Sequence, residues 1–291
     1  MIEDLRHRFD LPGVTFYRHA QVTLMRLENR HGSVTITPLG ATVLGYRPRD
    51  GDDVLWVSDT ACFDGSRPVR GGIPVCWPWF GPHPSDPARK AHGFARNALW
   101  HLDSVTADAD ATRAVFRLEP DERISAIWPW DFSLRLTVTL GEALRLDLTG
   151  ENRSRESWTV SEALHSYFSV WNGGDLHIRG LEGCNYWDKQ TAGTRGIQEG
   201  ALHLSPPFDR VYLDHEGQVV IDDGSRYIRV DKRGSASTVV WNPGPEGARA
   251  VEDMPDDAWR EMVCVETANA VDNAYTLHPG ESHTLTAILS V

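Results

Sequence analysis

The 291-residue sequence has no long apolar run, and no segment reaches the roughly 18 consecutive apolar residues that a membrane-spanning helix needs. Its first residues, MIEDLRHRFDLPG, are charged and lack the apolar core of a secretory leader. We therefore expect a cytoplasmic protein in which no segment spans or crosses a membrane.

Cysteine is scarce as well. The four cysteines, Cys62, Cys76, Cys184 and Cys264, lie far apart in the sequence and form no CxxC pair. This usage is typical of reduced thiols in a cytosolic protein. We predict that Cys76 and Cys264 pack as small apolar side chains near the functional site.

The histidines lack metal-binding spacings. None of the 12 histidines stands in an HxH, HxxH or HxxxH arrangement, so the sequence has neither a cupin-type nor a helical metal signature. Nucleotide-binding motifs are also missing from the sequence. We therefore expect no metal ion and no cofactor.

Positive charge is in short supply, because 29 basic residues face 41 acidic ones and the net charge is −12 at pH 7. Such an acidic chain repels nucleic acid, and we expect no nucleic-acid partner. A local group of basic side chains could still bind one small anion. Its members are Arg67, Arg70, Arg89, Lys90 and Arg96.

Helical periodicity is weak, whereas alternation with a period of two runs through the chain. Alternating or β-branched runs predict antiparallel strands at 21–28, 33–38, 112–118, 132–140, 143–151, 218–222, 226–231, 237–241 and 283–291. We predict helical turns only near residues 255–262. Residues 1–291 are expected to form a single all-β domain, in which two large antiparallel sheets pack as a sandwich and loops form one open cleft.

The segment from Arg70 to Arg96, RGGIPVCWPWFGPHPSDPARKAHGFAR, carries aromatic, histidine and cationic side chains between glycines and prolines. Its prolines exclude a continuous helix and interrupt a central strand, so we interpret it as a binding loop rather than a core element. An indole such as that of Trp79 can stack on the apolar face of a sugar, and guanidinium groups bind phosphate. The alternative is a surface loop whose aromatic side chains tuck beneath it.

Two further positions could carry chemistry. His165 lies in a run of alternating apolar residues, and Glu266 lies at the end of the apolar segment Met262–Val265. A carboxylate in such surroundings must be paired or have a shifted pKa, because burying an isolated charge is costly. Either residue could instead be structural, His165 as a satisfied core histidine and Glu266 as the partner of an arginine.

Six sequence blocks, in the same order along the chain, resemble the hexose-6-phosphate mutarotases (glucose-6-phosphate 1-epimerases) of the aldose 1-epimerase family. The blocks are RGGIPVCWPWFGP from Arg70, AHGFAR from Ala91, EALHSYF from Glu162, FDRVY from Phe208, VVWNP from Val239 and MVCVETAN from Met262. The resemblance implies a galactose-mutarotase-like β-supersandwich.

The resemblance also implies the reaction, which is the interconversion of α and β anomers of a hexose 6-phosphate, such as glucose 6-phosphate; we expect the enzyme to be a monomer. Glu266 would be the general base and His165 the general acid, and the reaction needs no cofactor. We expect the Glu266 carboxylate to raise the pKa of His165, because it favours the imidazolium form. The remaining implied roles are substrate contacts, from His92 and Asp209 to the sugar and from Arg70 and Arg96 to the phosphate.

Three other functions remain open at this point. A mutarotase of unphosphorylated aldoses would have no use for Arg70 and Arg96. A non-catalytic carbohydrate-binding protein would not need both His165 and Glu266. A glycoside hydrolase would use two carboxylates about 5 to 10 Å apart, such as Glu266 and Asp209, and would leave His165 idle.

Overall fold

The computed structural model describes residues 2–171 and 176–291. Most regular elements in this part are strands, numbered β1–β23 along the chain, and they pair antiparallel. The helices in the same part are α1 (Ile2–Arg8), α2 (Glu122–Ser125) and α3 (Gly244–Ala250), with 3₁₀ turns at Ala95–Asn97, Ala258–Arg260 and Val271–Asn273. None of these helices is long and apolar enough to span a membrane.

The larger of two main sheets has nine strands in the order β16-β13-β18-β19-β23-β9-β8-β7-β6. They are β6 (His101–Ala107), β7 (Thr112–Leu118), β8 (Phe132–Leu140), β9 (Leu144–Asn152), β13 (His177–Arg179), β16 (Leu202–His203), β18 (Val219–Asp222), β19 (Tyr227–Arg233) and β23 (Ser282–Ser290). Every second residue of β9 is buried, as the alternating sequence pattern requires. The strands predicted at 132–140 and 143–151 are confirmed.

The second main sheet has eight strands in the order β15-β14-β17-β20-β21-β11-β5, with β12 also paired to β21. They are β5 (Val75–Cys76), β11 (Glu162–Leu164), β12 (Tyr167–Ser169), β14 (Asn185–Asp188), β15 (Thr194–Ile197), β17 (Phe208–Leu213), β20 (Ser237–Asn242) and β21 (Met262–Asn269). One hydrophobic core joins the two sheets, since it contains Val265 of β21, Leu148 of β9 and Leu285 of β23. The predicted all-β fold with two large antiparallel sheets is confirmed.

Two smaller sheets, which were not predicted as separate units, complete the described strands. One has four strands in chain order, β1 (Val14–His19), β2 (Val22–Asn29), β3 (Gly32–Thr37) and β4 (Thr42–Pro48). The other pairs β10 (Trp158–Val160) with β22 (Tyr275–Leu277). The main core contains residues from Phe9 to Leu289, but folding as one cooperative domain stays a prediction.

The helix prediction was only partly right. The turns expected near 255–262 are the 3₁₀ turn Ala258–Arg260, while α1, α2 and α3 were not predicted. The sequence of α3, GPEGARA, contains two glycines and a proline, which are poor helix formers. Its burial of Ala248 beside Met254 and Ala258 indicates that tertiary packing stabilises it.

Part of the segment 70–96 belongs to the core, which corrects its interpretation as a binding loop alone. Val75 and Cys76 form β5, and Trp77 is fully buried against Phe94 and Phe132. Gly72 has a φ of +67°, and a Cβ there would lie 2.1 Å from the carbonyl oxygen of Val43. Glycine therefore lets this backbone run against β4.

The two faces of β21 have different surroundings. Val263 and Val265 pack in the main core between the sheets. Cys264 belongs to a separate small cluster on the opposite face, as alternation along a strand requires. Glu266, two residues further on, shares the face of Cys264, so the sheet positions it away from the main core.

Candidate active site

The face of the eight-stranded sheet that is turned away from the main core carries a group of functional side chains. Strand pairing sets Asp209 on β17 opposite Trp241 on β20, and Trp241 opposite Cys264 on β21. Glu266 follows two residues after Cys264 and points to the same side. Because directly opposed residues share a face of a sheet, these side chains lie next to one another on the same face, which forms the floor of the site.

His165 is held over this floor by the chain between β11 and β12. Both strands pair with β21, and the His165 N–H donates to the carbonyl oxygen of Pro74 at 3.0 Å. His165 Nε2 lies 3.3 Å from Glu266 Oε1. Only 1% of Glu266 and 8% of His165 is exposed, so water is largely excluded from this pair.

Each member of the pair has one polar atom left for a ligand. Within the described residues, His165 Nδ1 and Glu266 Oε2 are buried without a hydrogen-bond partner. Buried polar atoms are normally satisfied, so two unsatisfied ones side by side call for an explanation such as a catalytic role. An imidazole and a carboxylate at this separation can carry out general acid/base chemistry.

Aromatic rings hold the His165 imidazole on three sides. Tyr167 stacks on it, with ring centroids 4.8 Å apart and an angle of 15° between the planes. Trp241 meets it edge-on at 6.1 Å, and His92 does so at 5.7 Å. These contacts fix the orientation of the ring, because rotation would clash with its neighbours.

His92 is prepared to act as a neutral hydrogen-bond donor. Its Nδ1 accepts a hydrogen bond from the Gly81 N–H at 3.3 Å. Burial lowers the pKa of His92 to about 3, with the nearby charges of Arg96, Lys189 and Arg70 acting in the same direction. The neutral ring therefore carries its hydrogen on Nε2, where a sugar hydroxyl could accept it.

Arg70 enters the site from the start of the segment 70–96 and is anchored at two atoms. Its Nε donates to Asp253 Oδ1 at 3.0 Å, and its Nη1 donates to the Tyr167 hydroxyl at 3.4 Å. The guanidinium is half-buried, yet its charge reaches His92 and lowers the pKa of that ring. Its remaining N–H groups are available to an anion.

Arg96 and Lys189 supply two further positive charges. Arg96 Nη2 donates to the carbonyl oxygen of Ala91 at 2.9 Å, and no carboxylate within the described residues forms an ion pair with it. Lys189 Nζ lies 3.2 Å from Asp209 Oδ1 and 4.9 Å from the centre of the Phe80 ring. Of the three site cations Arg70, Arg96 and Lys189, only Arg96 has no carboxylate partner in the described residues. Its buried Nε also has no hydrogen-bond partner there.

Burial dominates the pKa values of the acid/base pair. Burial raises the pKa of Glu266 well above its ordinary value, although Lys189 and Arg96 oppose the rise. Burial lowers the pKa of His165 well below its ordinary value, and His92, Arg96 and Arg70 lower it further. The expectation that Glu266 raises the pKa of His165 is therefore wrong, because the loss of water and the surrounding cations outweigh one carboxylate.

Comparison with known proteins identifies the family of this chain. Residues 23–290 match the sequence profile of the family described as Aldose 1-epimerase. The chain belongs to the aldose 1-epimerase family. It is therefore an isomerase, and family membership sets aside the glycoside hydrolase and the non-catalytic binding protein.

Individual members of the family show which aldose 1-epimerases this chain is similar to. The chain is 37% identical over 234 residues to a protein of Escherichia coli K12 named "Putative glucose-6-phosphate 1-epimerase", covering 79% of this chain and 78% of the relative. A protein of the same name from Salmonella typhimurium is 35% identical over the same shares. The crystal structure of a Salmonella typhimurium protein described as "a putative mutarotase" superposes with a TM-score of 0.90 at 30% identity, covering 96% of this chain and 94% of that one.

The structure of this aldose 1-epimerase brings together six of the seven predicted site residues. They are His165, Glu266, Arg70, His92, Arg96 and Asp209. Trp79 lies apart from them in the main core, where it packs against Phe94 and donates from Nε1 to the carbonyl oxygen of Lys90 at 3.2 Å. Its indole is 5% exposed, so little of its face is open to a sugar.

Two other members of the predicted anion-binding group, Arg67 and Arg89, pair with carboxylates outside the site. Arg67 forms an exposed ion pair with Glu252, 3.0 Å away. Arg89 pairs with Asp86 at 3.1 Å and donates to a backbone carbonyl. Their charges are thus neutralised locally on the surface, where such pairs add little.

Three residues of the site were missed from the sequence, namely Lys189, Tyr167 and Trp241. Tyr167 and Trp241 reach the site through strand pairing, since Tyr167 lies opposite Cys264 and Trp241 lies opposite both Cys264 and Asp209. Lys189 directly follows β14, and its N–H donates to the carbonyl oxygen of Asp209 at 2.9 Å. Their sequence neighbours gave a signal, because Tyr167 and Trp241 belong to blocks that resemble the family. The two cysteines behave as predicted, since Cys76 and Cys264 are fully buried beside this face.

Proposed function

We propose that this aldose 1-epimerase interconverts the α and β anomers of a hexose 6-phosphate, with glucose 6-phosphate as the expected substrate. One observation carries the proposal: a buried imidazole and carboxylate 3.3 Å apart lie within the field of several cations. Proton transfer accounts for the pair, and an anionic substrate accounts for the cations. The names of the relatives from Escherichia coli and Salmonella support the same reaction.

In the proposed mechanism, Glu266 as carboxylate removes the proton from the C1 hydroxyl of the sugar. The C1–O5 bond breaks as the C1–O1 carbonyl forms, and His165 as imidazolium gives its proton to O5. Rotation about C1–C2 then presents the other face of the aldehyde, and reversal of both proton transfers closes the ring as the opposite anomer. The pair ends the cycle with the one proton that it held at the start, so no external acid, base or redox group is consumed.

The remaining residues orient the substrate in this proposal. His92 donates from Nε2 to a sugar hydroxyl, and the Asp209 carboxylate, fixed by Lys189, accepts from another. Trp241 replaces Trp79 as the aromatic surface beside the sugar, because it is half-buried and contacts His165. The phosphate is placed between the guanidinium groups that flank the pair, those of Arg70 and Arg96.

The proposal is tested by following freshly dissolved α-glucose 6-phosphate and α-glucose side by side by polarimetry. We expect kcat/KM to be at least about 10-fold higher for the phosphorylated sugar, since one charge-assisted contact is worth about 1.5 to 3 kcal/mol. Activity should survive exhaustive EDTA treatment, because two proton transfers need no metal. Equal acceleration of both sugars would instead favour a mutarotase of unphosphorylated aldoses.

We expect kcat/KM to be bell-shaped in pH, because only the state with one proton on the pair is active. With both groups protonated the base is lost, and with neither protonated the acid is lost. Because the pKa of His165 is lowered and that of Glu266 is raised, the single proton lies mainly on Glu266, and the reactive arrangement with the proton on His165 is the minor form of this one-proton state. The limbs belong to the coupled pair.

The His165→Asn variant checks this order of titration. Its residual activity needs Glu266 as carboxylate, so it should rise with pH near the midpoint at which the wild-type activity falls. It should show no alkaline decrease, because the variant has no catalytic imidazolium to lose. A rise that coincides with the wild-type acid limb would mean that Glu266 titrates below His165 and that our order is reversed.

The proposal also covers the oligomeric state, the localisation and the partners of the enzyme. We infer a monomeric cytoplasmic protein with a sugar-phosphate substrate and no nucleic-acid partner, as the net charge of −12 supports. Phosphate binding does not conflict with this acidity, because charges beyond a Debye length of about 8 Å are largely screened. Sedimentation measurements at micromolar concentration would test the oligomeric state.

A further inference from the structure

Arg70 is held in one orientation by two side chains that lie on different elements. Asp253, in the chain after α3, accepts from Nε at 3.0 Å, and Tyr167 on β12 accepts from Nη1 at 3.4 Å. A free arginine side chain samples many rotamers, and fixing them in one arrangement costs conformational entropy. These two contacts therefore meet that cost before any substrate arrives.

Asp253 has the properties of a dedicated anchor. Its side chain is 6% exposed, and its ion-pair partner is Arg70. The Ser58 hydroxyl donates to the Asp253 carbonyl oxygen at 2.7 Å, and the next residue, Met254, packs in the small cluster that contains Tyr167. A buried carboxylate held this firmly is stable only with its partner in place, so its position fixes that of the guanidinium.

Tyr167 connects Arg70 to the catalytic histidine. Its ring stacks on His165 at 4.8 Å, while its hydroxyl, at the far end of the same rigid ring, accepts from Arg70. Tyr167 is buried, and its N–H donates to the carbonyl oxygen of Gly72 at 2.9 Å. One side chain thus touches both the anion-binding group and the general acid.

We propose that Asp253 and Tyr167 are positioning residues for the phosphorylated substrate. Asp253 and the Tyr167 hydroxyl aim the free N–H groups of Arg70 at the phosphate, and the Tyr167 ring holds the His165 imidazole in line with O5. The inference rests on the proposed function, because it assumes that the substrate carries a phosphate. It extends that function by distinguishing two kinds of contact. The contacts of Asp253 and the Tyr167 hydroxyl to Arg70 serve the phosphate, whereas the stacking of the Tyr167 ring on His165 serves any sugar.

The Asp253→Ala variant tests the anchor. We expect KM for glucose 6-phosphate to rise about 10-fold with kcat changed less than about threefold, and kcat/KM for glucose to change less than about threefold. Asp253→Asn keeps an acceptor for Arg70 Nε and should restore most of the affinity. Asp253→Ala and Asp253→Asn with equal KM values would show that Asp253 does not act through this hydrogen bond and would overturn its role.

Two substitutions at Tyr167 separate its hydroxyl from its ring. Tyr167→Phe removes the contact to Arg70 and keeps the stack, so it should raise KM for glucose 6-phosphate about three- to tenfold and spare glucose. Tyr167→Leu removes the stack, so it should lower kcat about 10-fold for both sugars and displace the acid limb of the pH profile. If Tyr167→Phe affects both sugars equally, the hydroxyl has no phosphate-specific role and the inference fails.

Tyr212→Phe is the matched control. Tyr212 is a fully buried tyrosine on the other face of the same sheet, and its hydroxyl donates to Gln198 Oε1 at 2.8 Å. Its loss should change the melting temperature and leave the preference for glucose 6-phosphate over glucose intact. A matching loss of that preference in Tyr212→Phe would show that any buried tyrosine gives the effect, which would overturn the inference.

Arg70→Ala, measured on both sugars, separates this inference from the proposed function. Arg70→Ala could lower kcat/KM selectively for glucose 6-phosphate while Asp253→Ala and Tyr167→Phe do not. In that case the phosphate site stands and the positioning role is wrong. If wild-type protein does not discriminate between the two sugars, the proposed substrate is wrong and the inference falls with it. Because glucose turnover should be retained in Asp253→Ala and Tyr167→Phe, it reports the folded enzyme there, and a misfolded protein cannot be taken for a selective loss.

Discussion

Replacing His165 with Asn or Glu266 with Gln should lower kcat by about 100-fold or more, with KM changed little. Both substitutions preserve the size of the side chain and remove its ability to transfer a proton, which typically contributes about 10² to 10⁴ to the rate. Because each proton transfer depends on its counterpart, the double variant should be little worse than either single variant. Stopped-flow polarimetry on glucose 6-phosphate measures both constants.

Glu162 provides the matched control for Glu266. It is also a fully buried glutamate, and burial raises its pKa to about 7, but its Oε1 accepts a hydrogen bond from Asn269 Nδ2 at 3.3 Å and it lies on the neighbouring strand β11. Glu162→Gln should keep kcat within a few-fold of wild type. Should Glu266→Gln keep more than about a third of wild-type kcat, Glu266 is structural, and the same holds for His165→Asn.

The strands were predictable because each strongly alternating run has one buried face. The prediction at 112–118 matches β7, and that at 237–241 ends one residue before β20 does. Shorter strands such as β5, with two residues, carry too little pattern to be found. The order of strands within each sheet could not be derived, since it depends on which hydrophobic faces meet after folding.

The catalytic candidates could be found because their chemistry conflicts with their surroundings in the sequence. A carboxylate in MVCVETAN and a histidine in EALHSYF each interrupt an apolar run, and an ionisable group in such a run needs a reason. Lys189 gave no comparable signal, because a lysine beside an aspartate in NYWDK is typical of an exposed pair. Its role depends on pairing across the sheet, which brings it to Asp209 and not to its sequence neighbour Asp188.

The placement of Trp79 and the pKa of His165 needed three-dimensional information. Alternation cannot be counted through a segment broken by glycines and prolines, so the sequence does not say which of Trp77, Trp79 and Phe80 points inward. For His165, sequence reasoning included the neighbouring carboxylate and lacked the loss of solvent and the cations Arg70 and Arg96. Burial is a property of the whole fold, and in this site it is the largest influence on both groups.

Arg96→Ala should lower kcat/KM for glucose 6-phosphate by roughly 10- to 150-fold, the equivalent of about 1.5 to 3 kcal/mol for a lost charge-assisted hydrogen bond. Arg70→Ala should act in the same direction by a smaller factor. The reason is that Asp253 already balances the charge of Arg70, whereas Arg96 contacts a backbone carbonyl and has no carboxylate partner in the described residues. The loss for unphosphorylated glucose should be much smaller in both variants.

Arg67→Ala is the control for these two variants, because Arg67 belongs to the same stretch of chain and its charge is already paired with exposed Glu252. Arg67→Ala should leave kcat/KM unchanged for both glucose 6-phosphate and glucose. The salt dependence gives a second check, since a direct bidentate contact is screened far less than a distant surface charge. Equal losses of kcat/KM on phosphorylated and unphosphorylated glucose would show that Arg70 and Arg96 hold the loop or the sugar ring. These two arginines would then not bind the phosphate of the substrate.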